Sequence, residues 1–395
     1  MKAIKIRRMY VLSFLFSLHI ALSAYVNSNF LSDIIGEKYV GILYTIASII
    51  TLALLSKSSS VLKYFGNKRL SLWLLITNML SLAGMIISRN PVIIGTSFVI
   101  FTSTNTQILF CIDIFIEHFG DKSAVGKNRG LYLTMVSLAW MISPLISSFL
   151  ITQEGGYKTI YLIAFVATII IIIGLLLSVK KFKDKTYQKT PFIESYKYLK
   201  TNRHMLAITM VNFILQFFYA WMTIYMPLYL HKHIGLPWGQ IGIIFTAMLA
   251  PFVIFELPIG LFLDKYHKAK KTLLAIGFVI MGASTILISG MTTRNILWWS
   301  IILFITRIGA SIIETASETY FFMHIKEEET YLLSIFRDMI PVAYIIAPII
   351  STIVFIFFPL KFLFAILGII VLSGLYYVSN LKKNHEIKYE NRLSN

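Results

Sequence analysis

The stretch Val40–Thr45, which reads VGILYT, recurs 201 residues later as Ile241–Thr246, which reads IGIIFT. A second stretch, Ala139–Ser148 (AWMISPLISS), recurs 204 residues later as Ala343–Thr352 (AYIIAPIIST). Both pairs lie in long apolar runs, where a single match could arise by chance. Two matches at nearly the same offset indicate a chain built from two similar halves in tandem.

The composition predicts an all-α integral membrane protein. Of the 395 residues, 57% are hydrophobic and 14% are charged, and the mean hydropathy is +0.75. No soluble globular domain needs so much apolar surface, whereas apolar runs of about 20 residues are typical of membrane-spanning helices. A transmembrane β-barrel is disfavoured because its strands would be short and would alternate polar and apolar residues.

We predict twelve transmembrane helices, called spans 1–12 in chain order. They lie at 9–31, 39–56, 70–88, 92–117, 130–152, 159–179, 205–230, 240–263, 272–290, 296–323, 334–357 and 362–380. The repeat groups them into two pseudo-symmetric six-helix bundles, 1–179 and 205–380. A basic cytoplasmic linker, 180–204, joins the bundles, and a polar cytoplasmic tail, 381–395, follows them.

The basic charge follows the membrane topology. The net charge is +18, and 28 of the 36 Lys and Arg residues fall in the termini and alternate loops on one side of the predicted spans. The six loops on the other side hold one each. This positive-inside pattern predicts a multi-pass protein of the inner or plasma membrane with both termini in the cytoplasm. Nucleic-acid binding is disfavoured because the basic residues are divided among short loops.

The predicted topology leaves no room for a soluble catalytic domain, because no extramembrane segment exceeds about 25 residues. Glycine-rich phosphate-binding motifs and the common hydrolase and metalloprotease motifs are absent from the sequence. We therefore expect neither an enzyme nor a cofactor. His231 and His233 form only a weak metal motif, since no carboxylate or cysteine lies near them, and we predict no metal site.

One cytoplasmic loop carries the motif of a known family. Between spans 8 and 9 the chain reads Gly260-Leu-Phe-Leu-Asp264 and continues into a basic run. The equivalent loop between spans 2 and 3 has Ser59 at the glycine position and Lys63 at the aspartate position. Over residues 9–380 the chain resembles the major facilitator superfamily of transporters, whose signature in these loops is Gly-x-x-x-Asp-x-x-Gly-Arg-Lys.

This resemblance implies a gate at the cytoplasmic side of the membrane. Gly260 would let two helices approach closely, and the Asp264 carboxylate would cap the start of span 5, near Arg129. The alternative is that Asp264 ends its helix in solvent. In the first half, Lys63 would instead pair with Asp338 at the start of span 11, a contact of inverted polarity.

Pro144 and Pro348 occupy equivalent places in spans 5 and 11. The small residues around Pro144 resemble the antiporter motif of the family, although its glycines are missing. Because span 11 carries the same pattern, a structural helix bend at both prolines is the favoured interpretation. The pattern supports antiport only weakly.

The resemblance also implies that spans 1, 4, 7 and 10 line a central cavity, and the polar residues fall largely on these spans. Ionisable groups inside a membrane are costly and are therefore candidates for function. The candidate substrate and coupling residues are His19, Asn27, Asn105, Asp113, Asn212, Gln216, Tyr219, Arg307, Glu314 and Glu318. By helical rise, His19, Gln216 and Arg307 lie near the midpoints of their spans, where the substrate site of such a transporter is expected.

The chemistry of these side chains suggests their roles. Arg307 keeps its charge when buried, so it suits either an anionic substrate group or a structural ion pair with Glu314. A buried carboxylate can take up a proton near neutral pH, so Glu314, Asp113 and Glu256 suit proton coupling, with a buried ion pair as the alternative for each. Asp113 lies nearer the cytoplasmic surface and could be a gate residue. His19 is either a titratable coupling residue or a polar cavity wall.

These observations predict a monomeric secondary transporter that carries a small molecule by alternating access, with protons as the coupling ion. Efflux by proton antiport is slightly favoured. Uptake of a nutrient or metabolite, by proton symport or by uniport, is the alternative. A channel or a non-transporting membrane receptor is the competing class.

Overall fold

A computed structural model describes residues 2–24, 27–35, 37–151, 156–180, 182, 184, 197, 199–325, 329–358 and 362–381. Helices dominate these ranges, and no strand occurs within them. Most of the predicted linker and nearly all of the predicted tail lie outside the described residues.

Six helices cover the first half of the chain. They are α1 (Lys2–Ala24), α2 (Asn27–Ile35), α3 (Glu37–Ile87), α4 (Pro91–Phe119), α5 (Val125–Ile151) and α6 (Gly156–Ser178). Seven helices follow in the second half. They are α7 (Arg203–Leu228), α8 (Trp238–Lys265), α9 (Lys270–Ile288), α10 (Ile296–His324), α11 (Thr330–Phe357), α12 (Phe362–Leu372) and α13 (Gly374–Ser379).

The described helices agree with the predicted twelve spans. Eleven segments of the described chain are long and apolar enough to cross a membrane. One of them, Ile42–Ile87 within α3, has 46 residues, more than twice the roughly 20 that a bilayer requires. It is interrupted at Gly66, which has φ 72° and ψ 159°, a conformation that glycine adopts readily because it lacks a Cβ atom. The segment therefore contains two spans.

The starts of α4 and α10 support the internal repeat. Asn90 Oδ1 accepts the Val92 N–H at 2.9 Å before α4, and Asn295 Oδ1 accepts the Leu297 N–H at 2.8 Å before α10. Such N-caps satisfy amide groups that have no partner within the helix. The two asparagines are 205 residues apart, close to the offset of the repeated stretches.

The helices pack into two compact units. Unit 1 comprises Met1–Asp121, Met135–Ser195 and Lys326–Pro341. α3 packs extensively on α4 within it, around a buried apolar cluster that includes Phe98 and Leu82.

Unit 2 comprises Lys122–Thr134, Tyr196–Ile325 and Val342–Asn395. Here α10 packs against both α8 and α9. The contact with α9 is close because glycines face each other: a Cβ atom added at Gly277 would lie 3.0 Å from the carbonyl oxygen of Gly309.

The packing divides the chain differently from the sequence repeat. The first turns of α5, in Lys122–Thr134, belong to unit 2, and the first turns of α11, in Lys326–Pro341, belong to unit 1. Each half of the sequence thus contributes one helix start to the unit formed mainly by the other half. The bundle boundaries 1–179 and 205–380 stay a prediction.

Candidate substrate-binding and gating residues

Arg307 is the centre of a polar and aromatic cluster in unit 2. It lies near the middle of α10 and is only 4% exposed. Its guanidinium carbon is 4.8 Å from the ring centre of Phe218 and 5.8 Å from that of Tyr219, both on α7. Aromatic faces attract a cation at these distances, so the two rings help to hold a buried charge.

Tyr219 links this arginine to a carboxylate. The Tyr219 hydroxyl donates a hydrogen bond of 2.6 Å to Glu314 Oε2, two helical turns along α10 from Arg307. The Tyr219 ring packs edge-on against Phe252 of α8, with ring centres 6.0 Å apart. Arg307 and Glu256 both act electrostatically on the Tyr219 hydroxyl. The structure therefore brings together four residues that the sequence singled out on three helices.

Two further polar residues of α7 continue this face. Gln216 Nε2 donates to Asn212 Oδ1 at 3.3 Å, one turn apart on the same helix. The sequence did not single out Tyr344 of α11, which hydrogen-bonds with Thr223 and interacts electrostatically with Arg307. Tyr344 occupies the position of Trp140 in the repeat, and that correspondence alone would not have distinguished it from the many other aromatic residues.

In unit 1, three of the candidate residues join helices to one another. The Tyr161 hydroxyl of α6 donates to Asn27 Oδ1 at 2.8 Å. His19 on α1 is fully buried and contacts Asn78 of α3, which donates to Asn105 of α4 at 2.8 Å. Both groups tie helices of the first half together.

The Asp264 carboxylate caps the start of α5, as the motif predicted. Its Oδ1 accepts the Gly126 N–H at 2.7 Å, and its Oδ2 accepts the Lys127 N–H at 2.6 Å. Negative charge at a helix N-terminus is favourable because unpaired N–H groups point towards it. The helices approach closely because a Cβ atom at Gly126 would overlap the carbonyl oxygen of Gly260.

An ion pair joins the first turns of α5 to α10. Arg129 Nη1 of α5 is 3.7 Å from Glu318 Oε2 of α10, and both residues are buried. The Arg129 guanidinium carbon is 3.1 Å from the ring centre of Phe322. Glu318 is one of the predicted cavity residues, but in the structure it pairs with the predicted gate residue Arg129.

Unit 1 contains the counterpart of this ion pair. Arg337 Nε of α11 donates to Asp113 Oδ2 of α4 at 2.8 Å. Asp113 is fully buried, and Arg337 is 9% exposed. Of the two interpretations of Asp113, this contact favours the gate residue over the proton carrier. The sequence analysis did not give Arg337 a role.

The predicted pairing of Lys63 with Asp338 is wrong in this structure. Lys63 is exposed, whereas Asp338 is 2% exposed and neither of its carboxylate oxygens has a hydrogen-bond partner among the described residues. The carboxylate at this loop is Asp184, whose Oδ1 accepts the Asn67 N–H at 2.5 Å. The pair does not form because Lys63 lies on an exposed face of α3, whereas Asp338 is buried. At the break in α3, where Gly66 has a positive φ, the Asn67 amide donates to Asp184.

The two prolines lie within helices. α5 continues through Pro144, and Ser143 beside it donates to the Ala139 carbonyl oxygen at 2.6 Å. Ser147, one turn on, donates to the Leu22 carbonyl oxygen of α1 at 2.9 Å. The small residues of this segment thus make a helix contact. The side chain of Pro348 lies outside the described residues, and the helix bends stay a prediction.

The side chain of His231 also lies outside the described residues. Within the described part of the chain, no group of three or more His, Cys, Asp or Glu side chains is arranged to hold a metal ion.

Comparison with known proteins gives one family. The family model described as Major Facilitator Superfamily matches residues 9–240 and 229–392. No curated protein sequence is similar enough to count as a match.

Solved structures with the same fold cover nearly the whole chain. A bacterial homologue of the iron transporter ferroportin, in an outward-facing state, has a TM-score of 0.79 at 12% identity, covering 95% of this chain and 98% of that one. The human organic anion transporter MFSD10 (TETRAN) has a TM-score of 0.76 at 10% identity, covering 95% and 99%. The Escherichia coli fucose:proton symporter FucP has a TM-score of 0.72 at 14% identity, covering 96% and 98%.

Proposed function

The chain belongs to the major facilitator superfamily of membrane transporters, and from this we propose that it is a proton-coupled secondary transporter of small organic anions. Alternating access in this family uses no nucleotide, so the driving force must come from a solute or ion gradient. Arg307 is proposed to bind the anionic group, and Glu314 is proposed to carry the coupled proton.

The burial of Arg307 is the observation that carries the substrate class. A guanidinium that is 4% exposed keeps its charge at every physiological pH and presents a planar fork that matches a carboxylate or phosphate. Such a residue near the middle of a transmembrane helix is costly. Binding of a substrate anion would offset part of that cost, and the rings of Phe218 and Tyr219 hold the guanidinium in place.

The hydrogen bond between Tyr219 and Glu314 supports the coupling role. A carboxylate that accepts from a phenol is stabilised in its ionised form, and it can release that hydrogen bond when it takes up a proton. Tyr219 also lies against Arg307. A change in the protonation of Glu314 would therefore alter the surroundings of the proposed anion-binding guanidinium. This arrangement favours a carrier whose proton and substrate sites communicate.

The charged contacts at the helix starts support alternation rather than an open pore. Asp264 caps α5, and buried ion pairs join Arg129 to Glu318 and Asp113 to Arg337. Each of these contacts is polar and reversible, so each can break and reform as the halves of the chain move. A channel does not alternate between two access states and therefore needs no contacts that break and reform during transport. We propose that the protein is a carrier.

We propose export by proton antiport across the cell membrane, with the chain acting as a monomer and both termini in the cytoplasm. The small-residue pattern around Pro144 gives antiport only weak support, and the positive-inside pattern supports the orientation. Proteins of the same fold include both an organic anion transporter and a fucose:proton symporter. Uptake by proton symport is therefore the second candidate.

A binding screen tests the substrate class. A ligand that binds only the folded state raises the unfolding temperature, so purified protein would be screened against small organic anions, cations and neutral sugars. We expect a subset of anions to stabilise the wild-type protein.

The Arg307→Lys variant should weaken binding of those anions by about 10- to 100-fold, because it keeps the charge but loses the planar fork of a charged hydrogen bond. Arg69→Lys, at an exposed position, is the matched control and should bind like wild type. Stabilisation by cations or neutral solutes alone, or unchanged affinity in Arg307→Lys, would reject the proposal.

A further inference from the structure

A chain of hydrogen-bonded polar side chains lies buried in unit 1. His19 on α1 is 0% exposed, and its Nε2 lies 3.1 Å from Asn78 Oδ1. Asn78 Nδ2 donates to Asn105 Oδ1 at 2.8 Å and to Thr104 Oγ1 at 2.9 Å. The chain therefore runs from α1 through the second span of α3 to α4.

Both ring nitrogens of His19 face oxygen atoms. Nδ1 is 3.0 Å from the Phe16 carbonyl oxygen, and Nε2 is 3.1 Å from the carbonyl oxygen of the Asn78 side chain. A carbonyl oxygen only accepts hydrogen bonds, and a neutral imidazole has a single N–H. Only the doubly protonated ring can donate to both partners, so this arrangement is the one expected with a proton bound.

The neutral ring requires a different arrangement of the same groups. Nδ1–H can still donate to the Phe16 carbonyl oxygen, but Nε2 then becomes an acceptor and needs a donor. The Asn78 amide supplies that donor if it rotates by about 180°, because its NH₂ group and its oxygen are nearly the same size. The Asn78 oxygen would then face Asn105, whose amide must also rotate in order to donate, and Thr104, whose hydroxyl can donate to it. The rotation gives up the 3.3 Å hydrogen bond from Asn78 Nδ2 to the Phe101 carbonyl oxygen.

No charged side chain is a partner of the His19 ring within the described part of the chain. Phe16 stacks on it at 5.0 Å, and Phe101 lies edge-on at 5.4 Å. On the helices packed around it, the nearest charged residues in sequence are Arg8 on α1, Arg69 on α3, Asp113 on α4, Arg129 on α5 and Lys158 on α6. Asp113 is eight residues beyond Asn105, which is about 12 Å of helix. An imidazolium without a nearby carboxylate is costly to bury, so the proton would be readily released.

We propose that His19 is a proton-binding switch that sets the hydrogen-bonding character of Asn105. With the proton bound, the Asn105 oxygen is engaged by Asn78 and its NH₂ group is left to donate elsewhere. With the proton released, the NH₂ group is engaged and the oxygen is left to accept. Proton binding at His19 on α1 thereby determines whether Asn105 on α4 presents a hydrogen-bond donor or an acceptor to a polar solute. This inference rests on the proposed proton coupling and gives it a second proton site, in the first half of the chain.

Nitrogen-15 NMR of histidine-labelled protein in lipid bilayers tests the switch. The chain has 8 histidines, and His19→Gln identifies the His19 signals by their loss, with His118→Gln as the control. As the pH falls, His19 should pass from a neutral ring protonated at Nδ1 to a doubly protonated ring. In asparagine-labelled protein, the side-chain amide signals of Asn78 and Asn105 should shift over the same pH range, and these shifts should disappear in His19→Gln.

A second variant tests whether the hydrogen-bond partner of His19 controls the protonation of its ring. In Asn78→Asp the carboxylate can accept from His19 but cannot donate to it, so the ring should hold its proton to a pH about 1–3 units higher. Asn295→Asp, at an exposed helix N-cap, is the matched control and should leave the His19 titration unchanged.

Three outcomes would overturn the proposal: a single protonation state of His19 throughout the pH range in which the protein is folded, an unchanged titration in Asn78→Asp, or amide signals that do not follow the ring. These spectra need neither substrate nor transport. A failure here therefore leaves the proposed transport function standing, and a failure of transport leaves the titration result standing.

Discussion

Arg307 shows most clearly how the chemistry of one residue constrains function in this chain. Its charge persists in an apolar span, and Phe218 and Tyr219 hold it by their ring faces. The sequence could predict Arg307 and Glu314, because charged residues are rare in membrane helices and their seven-residue spacing puts them on one face. It could not select Phe218, Phe252 or Tyr344, because aromatic residues make up 14% of the chain and nothing in their spacing separates these three from the rest.

The role proposed for Glu314 leads to a selective prediction. Glu314→Gln keeps the shape of the side chain and can still accept from Tyr219, but it cannot release a proton. We expect accumulation of substrate driven by a pH gradient to fall to near the passive level, while exchange of labelled for unlabelled substrate stays within about twofold of wild type. The measurement compares both activities in the same proteoliposomes.

A structural ion pair between Arg307 and Glu314 would behave differently. Glu314→Gln would then lower expression and unfolding temperature together with exchange. Stable Glu314→Gln protein that still accumulates substrate against a gradient would rule out the proton role.

At the scale of helices, the starts of α5 and of the second span of α3 are organised alike. Asp264 accepts N–H groups at the first, and Asp184 accepts the Asn67 N–H at the second. The sequence predicted the Asp264 contact because Gly260 and Asp264 of the motif are present, although His267 replaces its second glycine. It could not predict Asp184, which lies in a strongly basic linker. The repeat placed Lys63 at the aspartate position, but it gave no information about which residue Lys63 contacts. The predicted pairing with Asp338 was wrong.

Removing the charge of Asp264 should weaken the contact with α5. Asp264→Asn can accept one N–H group but loses the attraction between carboxylate and helix N-terminus, worth about 0.3–1 kcal/mol. We expect slower transport and a larger inward-open population, with substrate affinity kept. Distances between spin labels on the loops predicted to be cytoplasmic would measure the population, and Asp33→Asn, at an exposed carboxylate, is the control. Wild-type rates and populations in Asp264→Asn would contradict a gating role.

The close approach of α5 and α8 predicts a steric effect at Gly126. A Cβ atom there would overlap the backbone of Gly260, and overpacking of this kind costs about 1–3 kcal/mol. We expect Gly126→Ala to lower the unfolding temperature by several degrees. Gly242→Ala, in α8, is the matched control because its Cβ would meet no atom within 4 Å. Equal unfolding temperatures for both variants would show that the helices are not in tight contact.

At the scale of the whole molecule, two ion pairs repeat the same chemistry. Asp113 pairs with Arg337 and Glu318 pairs with Arg129, so that each pair joins a residue from the first half of the sequence to one from the second half. The two carboxylates are 205 residues apart, close to the offset of the repeated stretches.

The sequence predicted the helical class, the span count and the tandem halves from apolar run length, charge distribution and repeat offset. It could not predict how α5 and α11 divide between the packed units, because that depends on contacts between distant segments.

In the proposed transport cycle, substrate moves across the membrane in exchange for protons. The most direct test measures uptake of a stabilising organic anion into proteoliposomes under imposed pH gradients, with protein-free liposomes to correct for passive distribution of the anion. Proton antiport predicts accumulation when the lumen is acidic, loss of that accumulation when a protonophore collapses the gradient, and none when the gradient is reversed. Accumulation only in an alkaline lumen would indicate symport instead. Uptake that ignores the gradient, or single-channel currents, would contradict the claim that this protein is a proton-coupled carrier.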